Sequence, residues 1–294
     1  MSIFSTLELN TFFNSISKTP DALRQKFTLN RISLNSWYQQ APFYQTPYIQ
    51  FEGAIIPLGR PSLRRCFENL IYDWLYEENE QCKQDYENFL ENYVGERLLQ
   101  AKLCFLNEVG IHQMIGLDSR CCDYLVEDES TYILIEVKNK ALNEAIPVVA
   151  QSDLNIMKFE STLMSGQKQL DVTLDKCKVL SRFREKVFYR LIVTQSELWF
   201  RDTCMIDVSQ NREDPIWIIS LQDFDQIIEL IINGTTTFTI FLDDARKRNQ
   251  NPDTSLFSVA QLLDKHPYNN IGLPKHLSLE FTKMADSIKN HLET

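Results

Sequence analysis

The chain has 294 residues, of which 44% are hydrophobic, 11% aromatic and 24% charged, with a net charge of −10. Those proportions suit a globular chain that buries a sizeable core, and the acidic balance excludes a protein that coats nucleic acid by bulk charge. No apolar run approaches the roughly 20 residues of a membrane span. The start, MSIFSTLELNTFF, lacks the basic residues and long apolar core of a secretory signal. The seven cysteines are odd in number and form neither a CxxC nor a Cys/His cluster with zinc spacing. They read as free thiols in a reducing compartment, and a cytoplasmic location is expected.

Residues 4–17 and 20–28 read as short helices, the second started by Pro20-Asp21. Residues 34–60, rich in Tyr, Pro and Gln, read as irregular or short-strand structure. Pro61-Ser62 opens an amphipathic helix to about Tyr76. A long helix is expected from about Asp85 to Val109, stopped by Gly110. The periodicity then changes to two, and residues 111–116, 120–127 and 131–138 read as consecutive strands, the last two joined by the polar turn Glu127-Asp128-Glu129-Ser130. Residues 141–162 have no clear pattern, and Pro147 argues against one continuous helix there. A helix over 165–182, strands over 187–195 and 215–220, a helix over 222–233 and a strand over 235–243 follow. Helices near 255–265 and 275–292 close the chain. This order implies an α/β (α+β) fold, with a mixed central sheet flanked by helices and a helical N-terminal extension. The expected parts are an extension over 1–80, a core over 81–243 and C-terminal helices over 244–294 packed on the core.

The charged end of strand 131–138 points to chemistry. Side chains alternate along a strand, so Tyr132, Leu134, Glu136 and Lys138 share one face while Ile133, Ile135 and Val137 share the other. The hairpin brings Asp123, early in its strand, to the same end as Glu136. Two carboxylates and a lysine converge there. Carboxylate oxygens hold Mg²⁺, which activates water and neutralises phosphate charge, and a lysine can orient that water or stabilise developing charge. The competing structural readings are a turn cap at Asp123 and an edge ion pair between Glu136 and Lys138, the latter worth about 0–1 kcal/mol.

Asp123 followed by Glu136-Val137-Lys138 on the next strand resembles the signature of the PD-(D/E)xK nuclease superfamily. The resemblance covers about residues 85–195 and implies a restriction-endonuclease-like core of a helix, a three-strand meander, a helix and a further strand. It also implies a nuclease dependent on Mg²⁺ or Mn²⁺, with Asp123, Glu136 and a helix glutamate as metal ligands and Lys138 as the catalytic lysine. Glu96 is the first choice for that glutamate, with Glu91 and Glu108 as weaker ones. The family often adds a glutamine on the next helix, and both Gln167 and Gln169 fit. Where the family often has proline, Cys122 precedes the aspartate.

From Lys158 to Arg190 there are eight basic and four acidic residues, a local positive stretch suited to phosphates. From Asp73 to Glu91 seven acids face one lysine, which reads as a solvated face, a partner surface or a nucleic-acid mimic. The expected activity is phosphodiester hydrolysis of nucleic acid, with DNA ahead of structured RNA such as tRNA, in the manner of a restriction or phage-defence effector. Homodimerisation or a protein trigger through the N-terminal region is expected with it. The alternative is a nuclease-like binding subunit without turnover.

Overall fold

The computed structural model describes residues 11–14, 16–22, 47–59, 80–116, 120–129, 131–139, 152–195, 215–251, 253, 259–269, 274–279, 282–283 and 286. The helix expected over 61–76 and most of those over 4–17, 20–28 and 275–292 lie outside these residues. The chain divides into two compact units. The first comprises Met1–Gln84, Asn143–Ile156 and Lys275–Thr294, and the second Asp85–Leu142 and Met157–Pro274. The boundary expected between residues 243 and 244 falls within a helix of the second unit.

In the first unit, residues 11–14 are helical and three short strands form a mixed sheet, so its described part is not purely helical. The strands are β1 (Ser17–Lys18), β2 (Tyr48–Phe51) and β3 (Ala54–Pro57). β1 runs parallel to β2, and β2 pairs antiparallel with β3. The two-residue turn Glu52-Gly53 has positive φ at both positions, 49° and 80°, as a turn matched to strand twist requires.

The second unit carries a five-stranded mixed sheet. Its elements are α1 (Glu80–Gln100), β4 (Cys104–Asn107), α2 (Glu108–Ile115), β5 (Tyr124–Asp128), β6 (Thr131–Lys138), α3 (Ser152–Val179), β7 (Val187–Thr194), β8 (Ile216–Ser220), α4 (Leu221–Ile232), α5 (Phe238–Gln250) and α6 (Val259–Leu263), with α1 up to Gln84 and α3 up to Ile156 counted in the first unit. The strands lie in the order β4-β5-β6-β7-β8. The first two pairings are antiparallel and the last two parallel. Parallel neighbours need a crossover, which α3 supplies between β6 and β7. No helix among the described residues is long and apolar enough to cross a membrane.

Four elements differ from the sequence reading, the first being α3, which starts at Ser152 rather than near residue 165. α1 ends at Gln100 rather than near Val109. Lys102 takes a left-handed φ of 56°, Leu103 N–H bonds to Leu98 O at 3.1 Å and Lys102 N–H to Leu99 O at 2.9 Å. That is the helix stop usually built on glycine, here made by a lysine. The strand expected over 111–116 is instead helix α2. Asn107 caps its start by accepting from Gly110 N–H at 3.1 Å, and Gly116 ends it at φ 62°. The first strand of the sheet is β4, before α2. The strand expected over 235–243 is the helix α5: Thr237 caps it, accepting from Ile240 N–H at 3.3 Å, and Phe238, Phe241, Leu242 and Ala245 are buried at helical spacing.

The sheet separates two environments. Ile133, Ile135 and Val137 of β6 join one core with Leu90, Val94 and Leu98 of α1 and with α4, α5 and α6. A buried polar clamp spans that side. Arg97, 1% exposed, donates from Nε to Asp225 Oδ1 and from Nη2 to Glu229 Oε1, both at 2.8 Å, and Tyr93 donates to Asp225 Oδ2 at 2.7 Å. The other face of β6, with Leu134, Glu136 and Lys138, lies under α3.

Candidate active site

Register brings the charged residues together. Tyr124 pairs with Ile135, so one step further Asp123 stands opposite Glu136. Asp123 Oδ2 accepts the backbone N–H of Val137 at 2.6 Å, which ties the start of β5 to the end of β6. Glu136 is fully buried. One of its oxygens, Oε1, pairs with Lys138 Nζ. The other, Oε2, is buried and has no hydrogen-bond partner among the described residues.

Lys138 is held from a second side. Its Nζ donates to Gln169 Oε1 at 3.0 Å, and Gln169 Nε2 donates to the carbonyl of Cys121 at 3.2 Å. Gln169 thus spans from the lysine to the segment just before β5 that carries Asp123. Of the two glutamines it is the one bonded to Lys138. Gln167 is half-buried, and its Oε1 has no hydrogen-bond partner among the described residues. Thr173, one turn along α3, accepts Cys122 N–H at 3.0 Å and fixes the same segment.

Helix α3 approaches this site through Gly166. A Cβ there would meet Ile192 Cδ1 and Lys138 Cε at 3.3 Å and Glu136 Cγ at 3.4 Å. The absent side chain lets the helix backbone lie directly over the charged end of β6.

The electrostatics are unusual. Burial pushes the Asp123 carboxyl up to about 7; the Val137 N–H and Lys138 oppose this, and the Glu91 and Glu108 carboxylates add to it. Burial pushes Glu136 up to about 8, helped by Asp123 and opposed by Lys138. Glu91 is also raised, first by burial, with Lys138 opposing and Glu108 adding. The three carboxylates therefore feel one another and share one ammonium.

Glu96, the first choice from the sequence, is exposed on α1. Glu91 is the α1 carboxylate whose charge acts on Asp123, Glu136 and Lys138. The difference lies in which face of α1 is buried. The buried stripe is Leu90, Val94, Arg97 and Leu98, whereas Phe89 is 58% exposed. The Leu90–Val94–Leu98 spacing is present in the sequence; it puts Glu96 on the far face of α1 and Glu91 beside the buried stripe. Gly95 contributes too. Tyr124 Oη would lie 2.6 Å from a Cβ at Gly95, and the tyrosine uses that gap to donate to Glu91 O at 2.7 Å.

The donor set at the end of β6 is all oxygen: Asp123, Glu136 and Glu91. Oxygen donors suit a hard divalent cation, and the partnerless buried oxygen of Glu136 is the strongest sign of fit; the three carboxylates do not all lie within 4.8 Å of one another, so they have to draw together around an ion. Among the described residues five cysteines are free thiols, and burial pushes the Cys121 thiol up to about 12, so it is no activated nucleophile.

No family model, curated protein or solved structure matches this chain. The functional reading therefore rests on the residues themselves.

Proposed function

We propose that this chain is a divalent-metal-dependent phosphodiesterase acting on nucleic acid, a nuclease of the PD-(D/E)xK kind. The observation that carries the reading is the facing pair of half-buried Asp123 and fully buried Glu136, with one Glu136 oxygen lacking any partner among the described residues. Two adjacent carboxylates, one half-buried and one fully buried, are costly as bare anions, and a cation removes that cost. A binding subunit without turnover would keep the cost and gain nothing from it.

Asp123 and Glu136, with Glu91 in the place expected of Glu96, would hold Mg²⁺ or Mn²⁺. Such an ion supplies an acidified water and neutralises phosphate charge. Lys138 is the catalytic lysine, fixed by Glu136 and Gln169 so that its remaining N–H meets a water or a phosphate oxygen. Gln169 is a positioning residue. Helix, strand, hairpin, helix and strand follow one another from α1 to β7, with the aspartate just before β5 and the Glu-Val-Lys triplet closing β6. This supports a restriction-endonuclease-like core, in which α2 is an added element between the first two strands. Lys168, Lys176, Lys178, Arg182, Arg184 and Lys186 are all exposed, which supports a polyanionic substrate. DNA leads, and a restriction or phage-defence setting with a trigger through the N-terminal unit belongs with this reading.

The test is incubation of the purified chain with Mg²⁺ or with EDTA and, separately, with duplex DNA, single-stranded DNA and tRNA. Cleavage that needs Mg²⁺ and falls about 10²–10³-fold in Lys138→Ala is expected. Cleavage of tRNA alone would move the substrate to RNA. Cleavage that is equal in EDTA, or unchanged in the variant, overturns the assignment.

A further inference from the structure

Beside the oxygen site lies a cluster of different chemistry. We propose that Glu108, His112 and Cys121 form a second cation site, which takes zinc or a similar divalent transition-metal ion. One carboxylate oxygen, one imidazole nitrogen and the Cys121 sulfur all lie within 4.8 Å of one another. The proposal uses none of Asp123, Glu136 and Lys138, and it stands or falls apart from the phosphodiesterase reading.

The arrangement follows from local structure. Glu108 and His112 are four residues apart on α2, so they share one face. Asn107 and Gly116 cap that eight-residue helix and fix the direction of the face. His112 Nε2 lies 3.7 Å from Glu108 Oε1. That is too long for a hydrogen bond. The same nitrogen is buried and has no hydrogen-bond partner among the described residues. Cys121 is fully buried, and its sulfur sits 3.8 Å from the Glu108 carbonyl. Gln169 holds the Cys121 carbonyl and Thr173 holds the next N–H, so the thiol side chain is aimed by bonds on both sides.

Ligand type decides the ion. Thiolate and imidazole together select zinc over Mg²⁺, and three protein ligands with one open position are a known zinc arrangement. Zinc bonds of about 2.0–2.3 Å place tetrahedral ligand atoms roughly 3.3–3.6 Å apart, so the cluster has to contract by on the order of 1 Å. Glu108 is exposed and His112 half-buried, and both can move by that amount. The incoming ion takes the place of the Cys121 proton, which leaves to solvent.

The experiment is a Co²⁺ titration of the full chain, stripped of metal and kept reduced with a phosphine. One equivalent is expected to give a sulfur-to-cobalt charge-transfer band, which Zn²⁺ bleaches and excess Mg²⁺ does not. Cys121→Ser is expected to lose the band, while Cys82→Ser and Cys104→Ser retain it. His112→Ala, on a partly exposed helix face, is expected to weaken Co²⁺ binding by more than about 100-fold with unchanged circular dichroism. The double variant Asp123→Asn/Glu136→Gln is expected to keep the band, which separates this site from the oxygen site. No band in the parent chain, a band that survives Cys121→Ser, or unchanged affinity in His112→Ala overturns the proposal.

Discussion

At the residue scale, Glu136 and Asp123 set a pH dependence whose sign is fixed. Burial holds both carboxyls above their ordinary range, near 8 and 7. The folded chain therefore binds more protons than the unfolded chain between about pH 4 and pH 8, and stability falls as pH rises through that window. Metal-free protein should lose on the order of 1 kcal/mol per pH unit for each group. Thermal melts from pH 5 to pH 8 in EDTA should show the decline, and Glu136→Gln should flatten it. Mg²⁺ should restore stability at pH 8 and do little at pH 5. Gly166 allows a sharper separation of fold from function. Alanine is the better helix former by about 1 kcal/mol, yet its methyl would press on Lys138 Cε. Gly166→Ala should melt within about 1 kcal/mol of the parent and cleave more slowly. An unchanged cleavage rate would show that the helix does not constrain the lysine.

At the element scale, the two clamps on α1 differ in kind. Arg97 is buried against Asp225 and Glu229. Arg97→Met leaves two buried carboxylates without their guanidinium and should cost about 3–5 kcal/mol, read as a shift in the urea midpoint. Gly95→Ala drives a methyl into Tyr124 Oη and breaks its bond to Glu91 O. A loss of about 1–3 kcal/mol is expected. The same scale shows what is legible in the sequence. β6, β7, β8 and α4 are readable because long apolar runs and the Ser220-to-Asp223 capping box state their period directly. α2 reads falsely as a strand because alternation over a few residues cannot outweigh two good caps, Asn107 and Gly116. α5 does so because a threonine- and phenylalanine-rich run favours strands only where a sheet position awaits it. The end of α1 is hidden because Lys102 does what glycine usually does. Within the site, Asp123, Glu136 and Lys138 follow from strand parity and one hairpin. Glu91 in place of Glu96 needs the true buried face of α1. His112 and Glu108 need α2 to be a helix.

At the scale of the whole molecule, the proposed reading requires a chain of net charge −10 to attract a polyanion locally. Lys176, Lys178 and Arg184 are exposed on α3 and after it. Replacing all three by glutamine should weaken binding of a DNA duplex and lower the salt slope by about 0.9 for each phosphate no longer neutralised. Metal binding should be unaffected, because none of the three is bonded to Asp123, Glu136 or Lys138. Fluorescence anisotropy against salt concentration measures the slope. The mixed sheet gives the chemistry its frame. The antiparallel hairpin places Asp123 against Glu136, and the parallel crossover brings Gly166 and Gln169 over them. The measurement that tests the central claim most directly is calorimetric titration of Mg²⁺ at pH 8 into the parent chain and into Glu136→Gln. The account predicts one Mg²⁺ per parent chain and its loss in the variant. Equal binding by both, or no binding by the parent, would contradict it.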